Sequence, residues 1–316
     1  MKKYTIGLDL GGTNSVFGIV DKEGNIIEQA SIKTQNYDDA ETYVAASLEV
    51  LQSLINRIGD IDSIASMGIG APNGNIITGC VEFAPNIKWA HDTKVPLAEM
   101  FSKGLGGLPV KLTNDANAAA IGEMTFGVAK GMKNFIVLTL GTGVGSGIVC
   151  NGELIYGCDG NAGELGHVIV KHEGGRLCGC GRRGCLETYC SATGVARTAR
   201  DFLEKSNEHS LLRDIKPEDI TSYDVAMAAE KGDAIAAKVF EYTGEIMGKA
   251  CADMTAFSSP EAFIFFGGLT KAGDLIMNPI KKTYEECVMT VFRGKAKFLI
   301  STLDGAGAAV LGAASL

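Results

Sequence analysis

A glycine-rich segment, residues 163–187, carries side chains at spacings that suit a metal ion. Cys178, Cys180 and Cys185 are separated by short spacers that contain glycine, and His167 lies eleven residues before Cys178. Three thiolates and one imidazole in a closed tetrahedron are typical of structural Zn²⁺, which then has no open position for Lewis-acid catalysis. His172 is a weaker candidate, because residues 167–172 are predicted to form a strand that leads it towards a loop. The alternative is a set of free thiols in a glycine-rich loop.

Two carboxylates, Glu164 and Glu187, flank the predicted zinc ligands. Hard carboxylate oxygens are not the usual partners of a zinc–thiolate site. Their position at both ends of the segment therefore indicates a second role, which depends on what the rest of the chain builds around them.

Two glycine-rich turns, residues 11–14 (GGTN) and 141–143 (GTG), have the composition of an anion site. Adjacent glycines let backbone N–H groups approach an anion closely, and Thr13, Thr142 and Ser146 add hydroxyl donors. Neither turn is a Walker A motif or a dinucleotide fingerprint, because each is followed by a strand. Two such turns on facing lobes would clamp a polyphosphate from both sides.

Two aspartates, Asp9 and Asp115, lie at or just after the ends of predicted strands, at positions where a carboxylate could take part in chemistry. Asp9 precedes the first glycine-rich turn, where it could hold a hydrated Mg²⁺ on phosphates or simply cap the turn. Asp115 follows a predicted strand and opens a predicted helix, where it could accept a proton from a substrate hydroxyl. The alternative for Asp115 is a plain helix N-cap, for which aspartate is a favoured residue.

Alternating strand and helix patterns predict an α/β fold that positions these residues. The predicted strands are 4–10, 15–21, 26–33, 61–72, 134–154 (as three short strands), 261–269 and 297–301. The predicted helices are 38–58, 115–127, 191–205, 222–231, 233–256 and 305–315. Residues 134–154 repeat the strand–turn–strand–hairpin–strand plan of the amino terminus, which predicts two similar lobes.

Composition and net charge limit the classes of protein to which this chain can belong. The chain has 316 residues, 46% hydrophobic and 21% charged, which suits two globular domains. A net charge of −8 argues against nucleic acid and anionic membranes as partners. The amino terminus lacks a long apolar run and a cleavage site, and the nine cysteines suit thiols and metal ligands better than disulfides, so we expect a cytoplasmic protein.

Five motifs, in order, resemble the ROK family of bacterial sugar kinases and sugar-responsive repressors. They are GLDLGGTNSVFGIVD, NDANAAAIGE, LTLGTGVGSGIV, NAGELGH and CGCGRRGCLETYCSATGV, which span residues 4 to about 195. The resemblance implies the actin/hexokinase superfamily fold, with two ribonuclease-H-like lobes, a central cleft and a structural zinc loop at 167–185. We place the N-terminal lobe at 1–114 plus 303–316 and the C-terminal lobe at 115–302.

The resemblance also implies residue roles. Asp115 matches the family's catalytic base. The matching sugar-binding residues are Asn114, Asp115, Glu164, His167 and Glu187. The matching zinc ligands are His167, Cys178, Cys180 and Cys185. The matching nucleotide-binding residues, beside Asp9, are Gly11, Gly12, Thr13, Asn14, Thr142, Gly143, Gly267 and Gly268. Asn73 departs from the glycine that many members carry in a loop near the sugar, which affects the expected sugar preference.

These features predict an ATP-dependent hexose kinase that uses MgATP and a structural zinc ion, most like the glucose-phosphorylating branch. Kinases of N-acetylmannosamine, N-acetylglucosamine, fructose or allose are the alternatives within the family. A non-catalytic sugar-sensing regulator is the alternative from another class, disfavoured because the first phosphate strand starts at Tyr4 and leaves no room for a DNA-binding domain. A zinc-based thiol switch would leave the two glycine-rich turns unexplained. We expect a homodimer.

Overall fold

The computed structural model describes residues 2–303 and 305–316, which group into two compact units. The first unit combines the chain up to Met132 with Leu154–Gly163 and the stretch from Thr302 to the C-terminus. The second unit consists of Lys133–Glu153 and Glu164–Ser301. None of the helices in the described residues is long and apolar enough to cross a membrane.

The first unit is an α/β layer built on a five-stranded mixed sheet. Its elements, in chain order, are β1 (Tyr4–Leu10), β2 (Ser15–Asp21), β3 (Ile26–Ile32), α1 (Ala40–Ile58), β4 (Ile64–Ala71), β5 (Gly74–Asn75), β6 (Cys80–Glu82), β7 (Lys94–Val95), α2 (Leu97–Gly104), β8 (Val110–Asn114) and α3 (Asp115–Thr125). The sheet order is β3-β2-β1-β4-β8, with β1–β3 antiparallel and β1, β4 and β8 parallel. The short strands β5, β6 and β7 form a separate small sheet.

The second unit repeats this plan. Its elements are β9 (Phe135–Leu140), β10 (Val144–Cys150), β11 (Glu153–Leu154), α4 (Glu187–Cys190), α5 (Ala192–Lys205), α6 (Ser222–Glu230), α7 (Ala234–Ser258), β12 (Ala262–Phe266), α8 (Asp274–Cys287) and β13 (Lys297–Ile300). The sheet order β11-β10-β9-β12-β13 matches that of the first unit strand for strand. The predicted internal repeat is therefore confirmed, and each glycine-rich turn joins the first two strands of its sheet.

The last helix, α9 (Gly305–Ala314), completes the first unit although it comes from the end of the chain. It packs on β1, β2, β4 and α3. Gly68 of β4 faces the backbone of Ala313 so closely that an added Cβ would overlap its carbonyl oxygen. Val310 is fully buried beside Val20 of β2. The predicted helix 305–315 is thus confirmed; Asp304, inside the predicted lobe segment 303–316, lies outside the described residues.

The boundary between the units differs from the predicted division at 114/115. The helix α3 packs on α9, so residues 115–132 group with the first unit. Residues 154–163 also group with it, and there the Asn75 side-chain amide donates a hydrogen bond to the Asp159 carbonyl oxygen at 2.8 Å. Both groupings depend on tertiary contacts between segments far apart in the sequence.

Two further elements differ from prediction. Residues 167–172 do not form a strand: a 3₁₀ turn over Leu165–His167 is followed by a single antiparallel bridge between Ile169 and Cys185. Helix α8 was not predicted, since Pro279 lies inside it and proline normally breaks a helix pattern. Its packing against α7 places Pro279 directly over Gly244, where a Cβ on residue 244 would lie 2.3 Å from the Pro279 Cβ.

Candidate active site

The first glycine-rich turn is held by the strands on either side of it. Strands β1 and β2 pair in register up to Leu10 and Ser15, which leaves residues 11–14 as the connecting turn. The Gly11 N–H donates to the Asn14 carbonyl oxygen at 2.9 Å and closes it. The Thr13 and Asn14 side chains are exposed, so their polar groups are available to a ligand.

A buried hydroxyl cluster fixes the strand directly after this turn. Ser15 Oγ lies 2.7 Å from Thr34 Oγ1 and accepts a hydrogen bond from the Tyr43 hydroxyl at 2.8 Å. Tyr43 is fully buried, and burial raises the pKa of its phenol, so it remains a neutral donor. The sequence pattern of α1 indicated a buried helix face but not this polar support of the turn.

Asp9 and Asp115 carry perturbed carboxyl groups. Asp9 is the penultimate residue of β1, and burial together with the charge of Asp115 raises its pKa from 3.8 to about 6. The Asp115 side chain is open to solvent, yet the densely packed protein around it raises the pKa of its carboxyl, against the lowering effect of the hydrogen bond from the Ala116 N–H. Paired carboxyls with raised pKa values are typical of acid–base sites.

The structure shows which residue caps the start of α3. Asn114 is the N-cap: its Oδ1 accepts a hydrogen bond from the Asn117 N–H at 2.7 Å. Asp115 is the first helical residue, and its Oδ1 accepts a 2.8 Å bond from the adjacent Ala116 N–H. The alternative that Asp115 merely caps the helix is therefore not supported, because a neighbouring residue does so.

Asn73 adopts the left-handed backbone conformation that glycine favours, with φ of 52°. Its side-chain amide donates to the Phe83 carbonyl oxygen at 3.0 Å, and the residue is exposed. Asparagine tolerates this conformation better than most residues, so it can stand where the resemblance expects glycine. Its amide is directed at the neighbouring loop of the same unit.

The second glycine-rich turn lies beside a third pair of glycines. Strands β9 and β12 run parallel and side by side, so residues 141–143 and Gly267–Gly268 leave the sheet at the same edge. Thr270 Oγ1 donates a hydrogen bond to the Gly267 carbonyl oxygen at 2.7 Å, which holds the Gly267–Gly268 segment. Thr142 is exposed. The carboxyl ends of parallel strands are the usual ligand edge of an α/β sheet.

The four predicted zinc ligands converge. Ligand atoms of His167, Cys178, Cys180 and Cys185 all lie within 4.8 Å of one another. Cys178 Sγ is 3.6 Å from His167 Nδ1, and Cys180 Sγ is 3.7 Å from Cys185 Sγ. Ligands of a tetrahedral zinc ion, with Zn–S of about 2.3 Å and Zn–N of about 2.0 Å, are separated by about 3.5–3.8 Å. The donor set and its spacing therefore fit Zn²⁺, whereas His172 lies outside the cluster and is exposed.

The two glutamates lie at different places around this cluster. Glu187 is half-buried; Cys178 Sγ donates to its Oε1 at 2.9 Å, and its Oε2 is 2.6 Å from the point that a Cβ on Gly143 would occupy. It is not among the four converging residues, but it touches both the cluster and the second glycine-rich turn. Glu164 is exposed and precedes the 3₁₀ turn that carries His167.

A cavity of about 460 Å³ adjoins the second glycine-rich turn. Its walls include Thr142, Glu187, Thr193 and Arg197. Sequence reasoning did not select Thr193, although its hydroxyl donates to the Thr142 carbonyl oxygen at 2.6 Å. Thr193 lies in one of the motifs that carry the family resemblance, but no residue type or spacing indicates a contact between residues 51 positions apart.

Comparison with known proteins gives consistent matches. The model of the ROK family matches residues 5–316. A glucokinase of Halalkalibacterium halodurans is 37% identical over 98% of this chain and 93% of its own length. A glucokinase of Streptomyces coelicolor is 36% identical over 99% of this chain and 96% of its own. The solved structure of a ROK family glucokinase from Streptomyces griseus in complex with glucose and AMPPNP has a TM-score of 0.79 and 36% identity, and covers 98% of both chains.

Proposed function

This chain belongs to the ROK family, and we propose that it is an ATP-dependent hexose kinase that phosphorylates glucose at its 6-hydroxyl. The observation that carries the proposal is the position of Asp115: it is the first residue of α3, its side chain is open to solvent, and Asn114 rather than Asp115 caps the helix. Full-length similarity to glucokinases, one of them bound to glucose and AMPPNP, supports both substrates.

In the proposed reaction Asp115 accepts the proton of the 6-hydroxyl, whose oxygen attacks the γ-phosphorus of ATP in line. Backbone N–H groups of the two glycine-rich turns, with Thr13 and Thr142, hold the phosphates, and Gly267–Gly268 face the nucleoside. Asp9 would hold the magnesium ion through its water shell. Mg²⁺, when bound, neutralises charge that develops on the transferred group.

We further propose that the zinc ion is structural. Held by His167, Cys178, Cys180 and Cys185, it would fix the fold of the loop and take no part in the chemistry. Since His167 turns Nδ1 towards the thiols, its Nε2 is directed away from them and can contact a sugar hydroxyl. Glu164 and Glu187, together with Asn114, supply further partners for sugar hydroxyls, and such polar sites reject analogues that lack a hydroxyl.

The experiment is an ADP-release assay over glucose, mannose, fructose, N-acetylglucosamine and N-acetylmannosamine, with mass analysis of the product. We expect the highest kcat/KM with glucose. 6-Deoxyglucose should bind as a competitive inhibitor and release no ADP above the background rate, because it lacks the attacking oxygen. Absence of turnover with every sugar, or phosphate found at another hydroxyl of glucose, would refute the proposal.

A further inference from the structure

Arg176 lies two residues before Cys178 and is almost buried, with 9% of its side chain exposed. Its Nη2 pairs with Asp201 Oδ2 at 2.6 Å. Its Nη1 donates to two backbone carbonyl oxygens, those of Thr188 at 2.8 Å and Gly194 at 3.2 Å. One guanidinium thus joins the zinc loop to α4 and to two turns of α5.

Tyr189 also contacts Arg176, through its ring and its hydroxyl group. The Arg176 guanidinium carbon is 4.6 Å from the centre of the Tyr189 ring, and the Arg176 N–H donates to the Tyr189 hydroxyl at 3.0 Å. Tyr189 is buried, so the ring is held in place. A planar cation that stacks on an aromatic ring while its edges make directed hydrogen bonds is a geometry that lysine cannot reproduce.

The start of α5 is bonded in turn to the second glycine-rich turn. The Ala192 N–H donates to the Gly141 carbonyl oxygen at 2.8 Å, and Thr193 Oγ1 donates to that of Thr142 at 2.6 Å. Gly194, whose carbonyl oxygen Arg176 holds, is the next residue. A displacement of this end of α5 would therefore move the backbone that faces the phosphates in the proposed reaction.

The same guanidinium fixes the residue after Glu187. Thr188 O is its closest carbonyl partner, and the Glu187 side chain lies against Gly143 of the glycine-rich turn. Arg176 therefore contacts the neighbours of two groups in this unit: Glu187, proposed to bind the sugar, and the Thr142 turn, proposed to bind the phosphates. Zinc would hold the loop through His167, Cys178, Cys180 and Cys185. None of these four residues is among the Arg176 contacts with Thr188, Gly194 and Asp201.

We propose that Arg176 is a positioning residue, which fixes Glu187 and the Thr142 turn relative to each other so that sugar and nucleotide sites form together. The inference rests on the proposed kinase function. It predicts that weakening the hydrogen bonds of Arg176 lowers the affinity for both glucose and ATP. A defect confined to the zinc loop should lower only the affinity for glucose. Mutations within such connected networks typically change coupling by about 2- to 30-fold.

The test is Arg176→Lys, with Arg57→Lys as the matched control, because Arg57 forms an exposed ion pair in the first unit. We expect KM for glucose and KM for ATP each to rise by about 2- to 30-fold, with zinc content and circular dichroism unchanged. The control should match the wild type. Unchanged KM for ATP, or loss of zinc, would overturn the inference.

A double-mutant cycle separates positioning from general stability. Thr193→Val removes the hydroxyl that holds the Thr142 carbonyl and should itself raise KM for ATP. If Arg176 acts through α5, the effect of Thr193→Val shrinks in the Arg176→Lys background; strictly additive effects contradict this. Asp201→Asn, which keeps the other Arg176 contacts, should change both KM values in the same direction by less, and serves if Arg176→Lys does not fold. An inactive wild type would refute the kinase proposal instead.

Discussion

At the scale of single residues, the first test concerns the proposed role of Asp115 as the general base, because Asn114 already caps α3. Asp115→Asn keeps the size of the side chain and leaves the Asn114 cap in place, so α3 should remain intact. Loss of a general base costs roughly 10²- to 10⁴-fold in rate. We expect kcat to fall by that amount while glucose still binds, measured by stopped assays and calorimetry.

The matched control is Asp274→Asn, which makes the same change at the first residue of α8, on the surface. It should leave kcat unchanged. An Asp115→Asn variant with nearly wild-type kcat would show that the proton is accepted elsewhere.

Asp9 gives a prediction about pH and stability. Its pKa is raised from 3.8 to about 6, so the folded protein favours the neutral carboxyl. The free energy of unfolding that this group contributes is present below its unfolded pKa and is lost as the pH rises through 6. Asp9→Asn should therefore raise the free energy of unfolding at pH 7 by on the order of 2–3 kcal/mol, and by much less at pH 4.

Urea titrations of both proteins in EDTA, at the two pH values, measure this difference. Activity should change in the opposite direction, because Asp9 would no longer hold magnesium. Equal stability of the variant and the wild type at pH 7 would show that the carboxylate is better solvated than its surroundings indicate.

Glu187 touches both the zinc ligands and the second glycine-rich turn, so its role needs a direct test. Glu187→Gln replaces an acceptor-only carboxylate by an amide with one acceptor and two donors. A lost hydrogen bond to a charged group corresponds to roughly a 10- to 150-fold rise in KM for glucose. Zinc content and KM for ATP should stay nearly constant. Loss of zinc would instead assign the carboxylate to the fold of the loop.

Residue types and spacing select candidates for the reactive groups, but not the partners of those candidates. The four side chains that converge in the structure could be chosen as candidate zinc ligands because cysteine and histidine spacing reflects metal geometry directly. The choice between cap and base at Asp115 could not be made, since both adjacent residues favour an N-cap. Arg176 and Thr193 gave no signal, because their roles depend on backbone carbonyl groups brought close by folding.

At the scale of elements, the zinc loop should be separable from the rest of its unit. Cys180→Ser removes one ligand of the cluster, and we expect the zinc content to fall, the segment 167–187 to become mobile, and glucose affinity to drop. The flanking sheet has its own strand pairing, so the overall fold should persist. Cys150→Ser, an exposed thiol outside the cluster, is the control.

Metal analysis by mass spectrometry and hydrogen exchange of the loop measure these effects. Protein purified without chelators that contains no zinc would contradict the structural assignment of the cluster.

The contact between α7 and α8 depends on a glycine. A Cβ on Gly248 would lie 2.6 Å from the Ile280 carbonyl oxygen and 2.8 Å from Thr283 Cβ. Gly248→Ala gains about 1 kcal/mol of helix propensity, but overpacking against a backbone group costs about 1–3 kcal/mol. We expect a net loss of about 1 kcal/mol and a lower Tm by calorimetry.

Glu241→Ala, on the exposed face of the same helix, should change stability by less than about 0.5 kcal/mol. A Tm of Gly248→Ala above that of the wild type would mean that α8 moves away at little cost.

Element prediction succeeded where periodicity was strong and failed where tertiary contacts decide. The strands β1 and β2 and the helices α1 and α7 lie at or within two residues of their predicted bounds. The stretch 167–172 has an apolar, strand-like composition, but no neighbouring strand pairs with it beyond a single bridge. Helix α8 contains Pro279, whose cost is offset by packing against α7.

At the scale of the whole molecule, the repeat of one sheet plan in both units could be predicted from the sequence, because the two glycine-rich hairpins have the same order of strands. The boundary between the units was not readable. It depends on which sheet each connecting segment packs against, and α3 and residues 154–163 follow contacts with α9 and Asn75.

The position of α9 has a consequence for synthesis on the ribosome. Strands β1, β2 and β4 are made first, yet the face that α9 covers stays bare until residues 305–316 have left the exit tunnel. The second unit, whose chain ends at Ser301, is complete before that moment. A nascent chain therefore carries a finished C-terminal half and an open N-terminal sheet, a state in which chaperones that bind apolar strands would protect it. A substitution in α9 therefore acts on the half of the protein that was translated first.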